Sequence, residues 1–226
     1  MNKELEEVDF DNYFAFFGCS YCVGVGLPLE ETYAYRIAKR YNVDYVNAGT
    51  GGGNVDFAHI NFVKLFTEAP KLPKAVIVNW PELTRTCFWT KTDGEDRLEM
   101  FLSNHIDDNS QRSLWKNTYK EFVMNENQIN NRFTTIRQTF QTMCKLAGVK
   151  LFEFTSHQTA RDFSKRHPGI THIPMFPHTG DQKSIQYYNL CRARDIDPVT
   201  NICHPGIYHQ SEVLQTVSRE MGNAFN

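Results

Sequence analysis

The feature that most constrains this chain is a set of short apolar runs, each divided from the next by a stretch of helical period. Residues 13–17 (YFAFF), 43–48 (VDYVNA), 75–80 (AVIVNW) and 149–155 (VKLFEFT) are too short for buried helices and are bounded by Gly, Pro or polar turns, as strands are. Between them, residues 28–41 place Tyr33, Ile37, Ala38 and Tyr41 at helical spacing, with acidic residues early and Lys39 and Arg40 late. Residues 58–66 and 131–147 also read as helices, the second ended by Gly148. A further helix is expected over residues 204–221, with Pro205 in its first turn, after a short last strand over residues 171–176. Strands alternating with helices predict an α/β chain, a central parallel sheet of about five strands covered on both faces. The expectation is one three-layer α/β/α domain of flavodoxin-like architecture spanning residues 1–226. Residues 91–130 are charged and less periodic; helical segments near 97–106 and 114–123 would make them an insertion or lid.

Composition narrows the functional classes. The chain has 226 residues, 41% apolar and 22% charged, and a net charge of −2, with no basic stripe of the kind phosphate backbones require. No nucleic-acid partner is therefore expected. No run approaches the length of a membrane span, and the start, Met1-Asn2-Lys3-Glu4, is polar and acidic rather than export-like. These features predict a cytoplasmic protein without a membrane partner, its six cysteines reduced.

In open parallel sheets the chemistry lies beyond the carboxyl ends of the strands. That rule selects Gly18-Cys19-Ser20 after the first run, Gly49-Thr50-Gly51-Gly52-Gly53-Asn54 after the second, residues 80–85 after the third and Ser156-His157 after the fourth. A serine becomes a nucleophile only when an imidazole takes its proton and backbone N–H groups face the oxyanion that forms. Ser20 on a strand-to-helix turn supplies a hydroxyl and an amide, the glycine run a second amide, and His204 a base. Cys19-x-x-Cys22 admits another reading, a redox pair or, with Cys203 and His204, a zinc site. The Gly24-Val25-Gly26 that follows is foreign to redox motifs.

The segment from Gly18 to Leu27 (GCSYCVGVGL) resembles the first block of the SGNH (GDSL-type) hydrolases, in the variant with Cys before the serine. Asn47-Ala48-Gly49-Thr50-Gly51-Gly52 resembles their second block, with Gly52 matching the oxyanion glycine, and His204-Pro205-Gly206 followed by His209 resembles their last. The likeness runs in order from residue 13 to about residue 215. It implies a serine esterase cleaving a small, acetyl-like acyl ester borne by a small molecule or carbohydrate, without metal or organic cofactor. Ser20 would be nucleophile and His204 general base. Two departures stand out. The third block's asparagine is missing from Asn79-Trp80-Pro81-Glu82-Leu83-Thr84-Arg85, where a Trp followed by Arg resembles divergent, virus-associated members. Arg85 there either binds a substrate anion or braces the loop, and Asn54 is another oxyanion donor. The family's acid, three residues before the histidine, is here Asn201; either Asp195 or Asp197 serves after an insertion, or Asn201 orients the imidazole uncharged. His167-Pro168-Gly169 echoes the last block, so His167 is a rival base. These departures also admit a catalytically impaired binding or virion-associated module.

Overall fold

All five residues of the first apolar run are buried, which is possible for a strand only when both faces of its sheet are covered. The structure, a computed structural model, describes residues 7–92, 95–101, 125–156, 167–173 and 206–225. Strand β1 (Tyr13–Phe17) leads through a short helix α1 (Ser20–Val23) and a single 3-10 turn (Leu29–Glu31) into α2 (Tyr33–Arg40) and β2 (Asp44–Asn47). Helix α3 (Val55–Glu68) and β3 (Ala75–Asn79) follow, then strands β4 (Thr86–Thr92) and β5 (Glu95–Phe101). Helix α4 (Glu126–Ala147), β6 (Lys150–Thr155), β7 (Thr171–His172) and α5 (Ile207–Phe225) complete the described elements.

Five strands form one sheet in the order β2-β1-β3-β6-β7, every neighbouring pair parallel. The register sets Phe14 beside Ala75, Ala75 beside Lys150 and Phe154 beside Thr171. Because side chains alternate along a strand, β1 feeds two cores. Tyr13, Ala15 and Phe17 pack with Val55, Ala58 and Phe62 of α3 and with Phe133, Ile136 and Phe140 of α4. Phe14 and Phe16 pack on the other side with Tyr33 and Ile37 of α2 and with Val213, Val217 and Met221 of α5. The α/β/α layering expected from the sequence is therefore the observed fold. No described helix is long and apolar enough to cross a membrane.

Helix starts follow local chemistry. Thr32 Oγ1 accepts from Tyr35 N (3.4 Å) at α2, Asn54 Oδ1 from Phe57 N (2.9 Å) at α3, and Asn125 Oδ1 from Asn127 N (2.9 Å) at α4. Three elements depart from expectation. Helix α4 begins at Glu126, five residues ahead of residue 131, because Asn125 caps a polar first turn. The helix expected to start at residue 97 is instead strand β5, paired antiparallel with β4 from Thr86↔Phe101 to Thr92↔Glu95. The last strand is two residues long; Phe176 and residues 102–124, which include the second helical segment of the insertion, lie outside the described residues.

Candidate active site

At the carboxyl end of β1 the chain turns on Gly18. Its φ is +157°, and a Cβ there would stand 2.8 Å from Asn79 O and 3.0 Å from Cys22 Cβ. Only glycine lets β1 exit this close to the last residue of β3. Cys19 and Ser20 then enter α1, both buried, Ser20 with 4% of its surface exposed. The next turn locks onto this one. Thr50 N donates to Gly18 O (3.1 Å) and Ala48 N to Phe16 O (2.8 Å). Asn47 ties the two loops together, its Nδ2 donating to Cys22 O (2.9 Å) while its Oδ1 accepts from Cys22 Sγ (3.2 Å) and Gly49 N (3.1 Å). A Cβ on Gly53 would meet Thr50 O at 2.8 Å and Gly18 O at 3.3 Å, and Gly52 has a φ of +69°. The glycine run is thus a close-packed loop rather than a slack one.

Two buried amides border these turns. Asn54 spends its Oδ1 on the α3 cap, and its Nδ2 has no hydrogen-bond partner among the described residues. Asn79, fully buried at the end of β3, has neither amide atom bonded among them. Buried polar atoms of this kind are rare in native proteins and mark places where water or a ligand belongs.

The third loop is anchored from below. Trp80 is fully buried, edge-on to Phe133 and Phe140 with centroids 5.1 Å away, and its Nε1 donates to Glu153 Oε1 (3.1 Å). Arg137 holds the same carboxylate from Nε (2.7 Å) and Nη2 (3.0 Å), and Gln141 Nε2 adds a bond at 3.1 Å. Farther along, Arg132 Nη2 donates to Leu83 O (2.7 Å) and Arg85 O (2.9 Å). Arg85 Nη1 reaches Gly53 O at 3.4 Å, so this loop and the glycine loop meet.

Burial sets the state of the thiols. It pushes Cys22 up to about 12, and it raises Cys19 as well, with the Arg85 charge among the influences pulling the other way. Thiols held neutral are poor nucleophiles and poor metal ligands, which works against the redox and zinc readings. Cys203 and His204, the other half of the zinc reading, lie outside the described residues.

Of the residues singled out in the sequence, Ser20, Gly52, Asn54 and Arg85 gather on loops at one sheet edge. His204, Asp195, Asp197 and Asn201 lie outside the described residues. His167 bonds Asn130 Oδ1 through Nε2 (3.0 Å) and sets its ring edge-on to Phe133 at 5.2 Å, against the α4 layer. Two contacts of α5 were not anticipated. Buried His209 shares a hydrogen bond of 2.9 Å between its Nε2 and Ser156 Oγ. Gln210, fully buried, accepts from Tyr33 N (2.8 Å) and donates to Tyr21 O (3.2 Å), joining α5 to the helix that begins with Ser20. Ser156 stood out in the sequence by its place at a strand end and His209 by its place after the histidine block, whereas nothing in the sequence pointed to Gln210.

Solved structures of similar fold include esterases. One is a carbohydrate esterase whose active site displays divergent catalytic and non-catalytic binding functions, with a TM-score of 0.50 at 10% identity, covering 98% of this chain and 68% of that one. The psychrotrophic esterase EstA from Pseudoalteromonas sp. gives 0.49 at 12% identity, covering 96% of this chain and all of that one (100%). A member of the lipolytic G-D-S-L family from Veillonella parvula gives 0.42 at 13%, with 92% and 96% covered. At such identities the likeness speaks for the fold alone: the chain shares the three-layer α/β fold of the carbohydrate esterase. No protein-family model matches the sequence, and no curated protein does.

Proposed function

We propose that the chain is a serine esterase that transfers a small acyl group to Ser20 and then to water. The reading is carried by the interlock of the Ser20 turn with the glycine loop at the carboxyl edge of a parallel sheet, fixed by Thr50 N on Gly18 O (3.1 Å). Asn54 Nδ2, buried beside that interlock without a partner among the described residues, supports it. Ser20 Oγ attacks the ester carbonyl while His204 takes its proton, helped by Asp195, Asp197 or Asn201. The oxyanion is met by the backbone N–H groups of Ser20 and Gly52 and by the Asn54 amide. Collapse expels the alkoxide, which leaves as the alcohol with the proton held by His204. Water, deprotonated by the same imidazole, then attacks the acyl-Ser20 carbonyl and releases the acid with Ser20 restored. The substrate is a small-molecule or carbohydrate ester, by analogy with the carbohydrate esterase of like fold.

Hydrolysis of p-nitrophenyl acetate tests this directly. Ser20→Ala should lose roughly a thousandfold or more of the wild-type rate, as triad nucleophiles do; equal rates would overturn the assignment. The departure at Asn201 favours a second reading, a binding module of the same fold with an impaired site. A fluorophosphonate probe separates the two, since an activated Ser20 becomes labelled and an impaired one does not.

A further inference from the structure

The two readings of Arg85, bracing the loop or binding an anion, are separated by what its neighbours already do. The loop is braced by another residue: Arg132 Nη2 holds the carbonyls of Leu83 and Arg85 at 2.7 and 2.9 Å. Arg132 also lies 3.6 Å from Asp56 Oδ2, and Glu82 Oε1 accepts from Thr84 N (3.4 Å) and Oγ1 (3.1 Å). Leu83 is fully buried beneath. Arg85 itself makes one long hydrogen bond, from Nη1 to Gly53 O at 3.4 Å, and no carboxylate stands within ion-pair distance of it among the described residues. A guanidinium has five N–H donors, and among the described residues this one, partly buried, has a single donor bonded. A guanidinium with free donors is a ready partner for an anionic ligand, and a carboxylate meets it with charge-assisted hydrogen bonds.

Its place says which ligand. Gly53 O, where the guanidinium rests, follows the N–H groups of the glycine loop, and its own loop is packed on the Gly18 carbonyl that precedes Ser20. The charge is also close enough to Cys19 to act on its thiol, against the larger effect of burial. We infer that Arg85 is a specificity residue for a carboxylate carried by the substrate, so that the ester cleaved at Ser20 is an anionic one. A carboxylate fits better than a phosphate dianion. One planar fork matches two carboxylate oxygens, whereas the guanidinium of Arg132 is already committed to two carbonyls and Asp56.

This inference rests on Ser20 as the nucleophile, and the test keeps the two apart. The probes are p-nitrophenyl hemisuccinate against p-nitrophenyl acetate, which place the carboxylate on the acyl side. On the alcohol side, para-acetoxybenzoate is set against its methyl ester. Wild type should favour the acid of one pair by about tenfold in kcat/KM, the scale of a partly solvated charge-assisted pair. The preference should shrink as salt is raised, collapse to about unity in Arg85→Gln and survive in part in Arg85→Lys, each variant first shown to unfold cooperatively. Equal kcat/KM within both pairs, or a preference intact in Arg85→Gln, overturns it. If fluorophosphonate labels Ser20 and the neutral esters turn over without preference, Arg85 loses its role while Ser20 keeps its own. If nothing turns over, calorimetric binding of para-acetoxybenzoate and its methyl ester to the Ser20→Ala protein decides. Tighter binding of the acid that is lost on adding Arg85→Gln supports the inference, and equal binding refutes it.

Discussion

Cys22 shows how single side chains hold the site together. Its Sγ donates to Asn47 Oδ1 at 3.2 Å, its Cβ lies where side chains on Gly18 and Gly49 would stand, and its carbonyl accepts from Asn47 Nδ2. Burial lifts its thiol from 9.0 to about 12. The unfolded chain therefore releases this proton near pH 9 while the folded chain keeps it until about 12. That part of the stability is complete below pH 9 and is lost as pH rises through the interval. Cys144, also pushed to about 12, and Cys19, also raised, add to the same trend. Urea midpoints followed from neutral pH upward should fall above pH 9, and Cys22→Ala should flatten the fall without abolishing it. An identical pH profile in the variant would remove Cys22 from this account. The Ser20 turn was legible because a glycine and a serine directly after an apolar run mark the exit from a buried strand. The role of Asn47 was not, since it joins the second loop to Cys22, 25 residues earlier in the chain.

Among elements, the junction of β6, α4 and the end of β3 is set by one charge. Glu153 and Arg137 have 7% and 9% of their side chains exposed, and the carboxylate serves Trp80, Arg137 and Gln141 at once. Removing one partner strands the other charge, so Glu153→Ala should cost about 3–5 kcal/mol, whereas Glu153→Leu combined with Arg137→Met should cost far less than the two single changes summed. Denaturant titration of the four-member cycle measures this; additive losses would mean the pair is not coupled. Strands β1 and β3 were plain in the sequence, because a strand buried on both faces reads as an unbroken apolar run, and β2 and β6 were marked by short apolar-rich runs between helical stretches. The β4–β5 pair was not. Arg97, Leu98, Phe101 and Leu102 fall at helical spacing among good helix formers, and pairing with Thr86–Thr92 overrides that preference. Asp93-Gly94 between the two segments, a dipeptide suited to tight hairpin turns, was the signal to read.

Across the whole molecule, the sheet separates two cores that depend on different lengths of chain. The α3–α4 core joins its strands through elements that follow closely, while the opposite core is closed by α5, whose Gln210 bonds Tyr33 N across 177 residues and Tyr21 O across 189. Gln210→Leu takes the acceptor from the Tyr33 amide and a donor from Tyr21 O, and should cost about 1–3 kcal/mol. Hydrogen exchange should quicken at the Tyr33 amide and spread along α2, with little change in α3. Uniform acceleration in both layers would show that α5 is not a separable support. His204 and Asp195 were chosen by resemblance and lie outside the described residues, whereas Gln210 and its bonds to Tyr33 and Tyr21 carry no local signal, because those partners stand 177 and 189 residues away.

The span of those two bonds gives the Ser20 turn a place in time. Loop closure becomes harder as the intervening chain lengthens, so contacts this remote form after the neighbouring strands have paired. The β1–β3 pair can be in place while Tyr21 O still lacks the donor that α5 brings. The short helix that begins with Ser20 is then among the last parts to be fixed during folding, and a mild denaturant that lifts α5 should loosen it before the sheet comes apart.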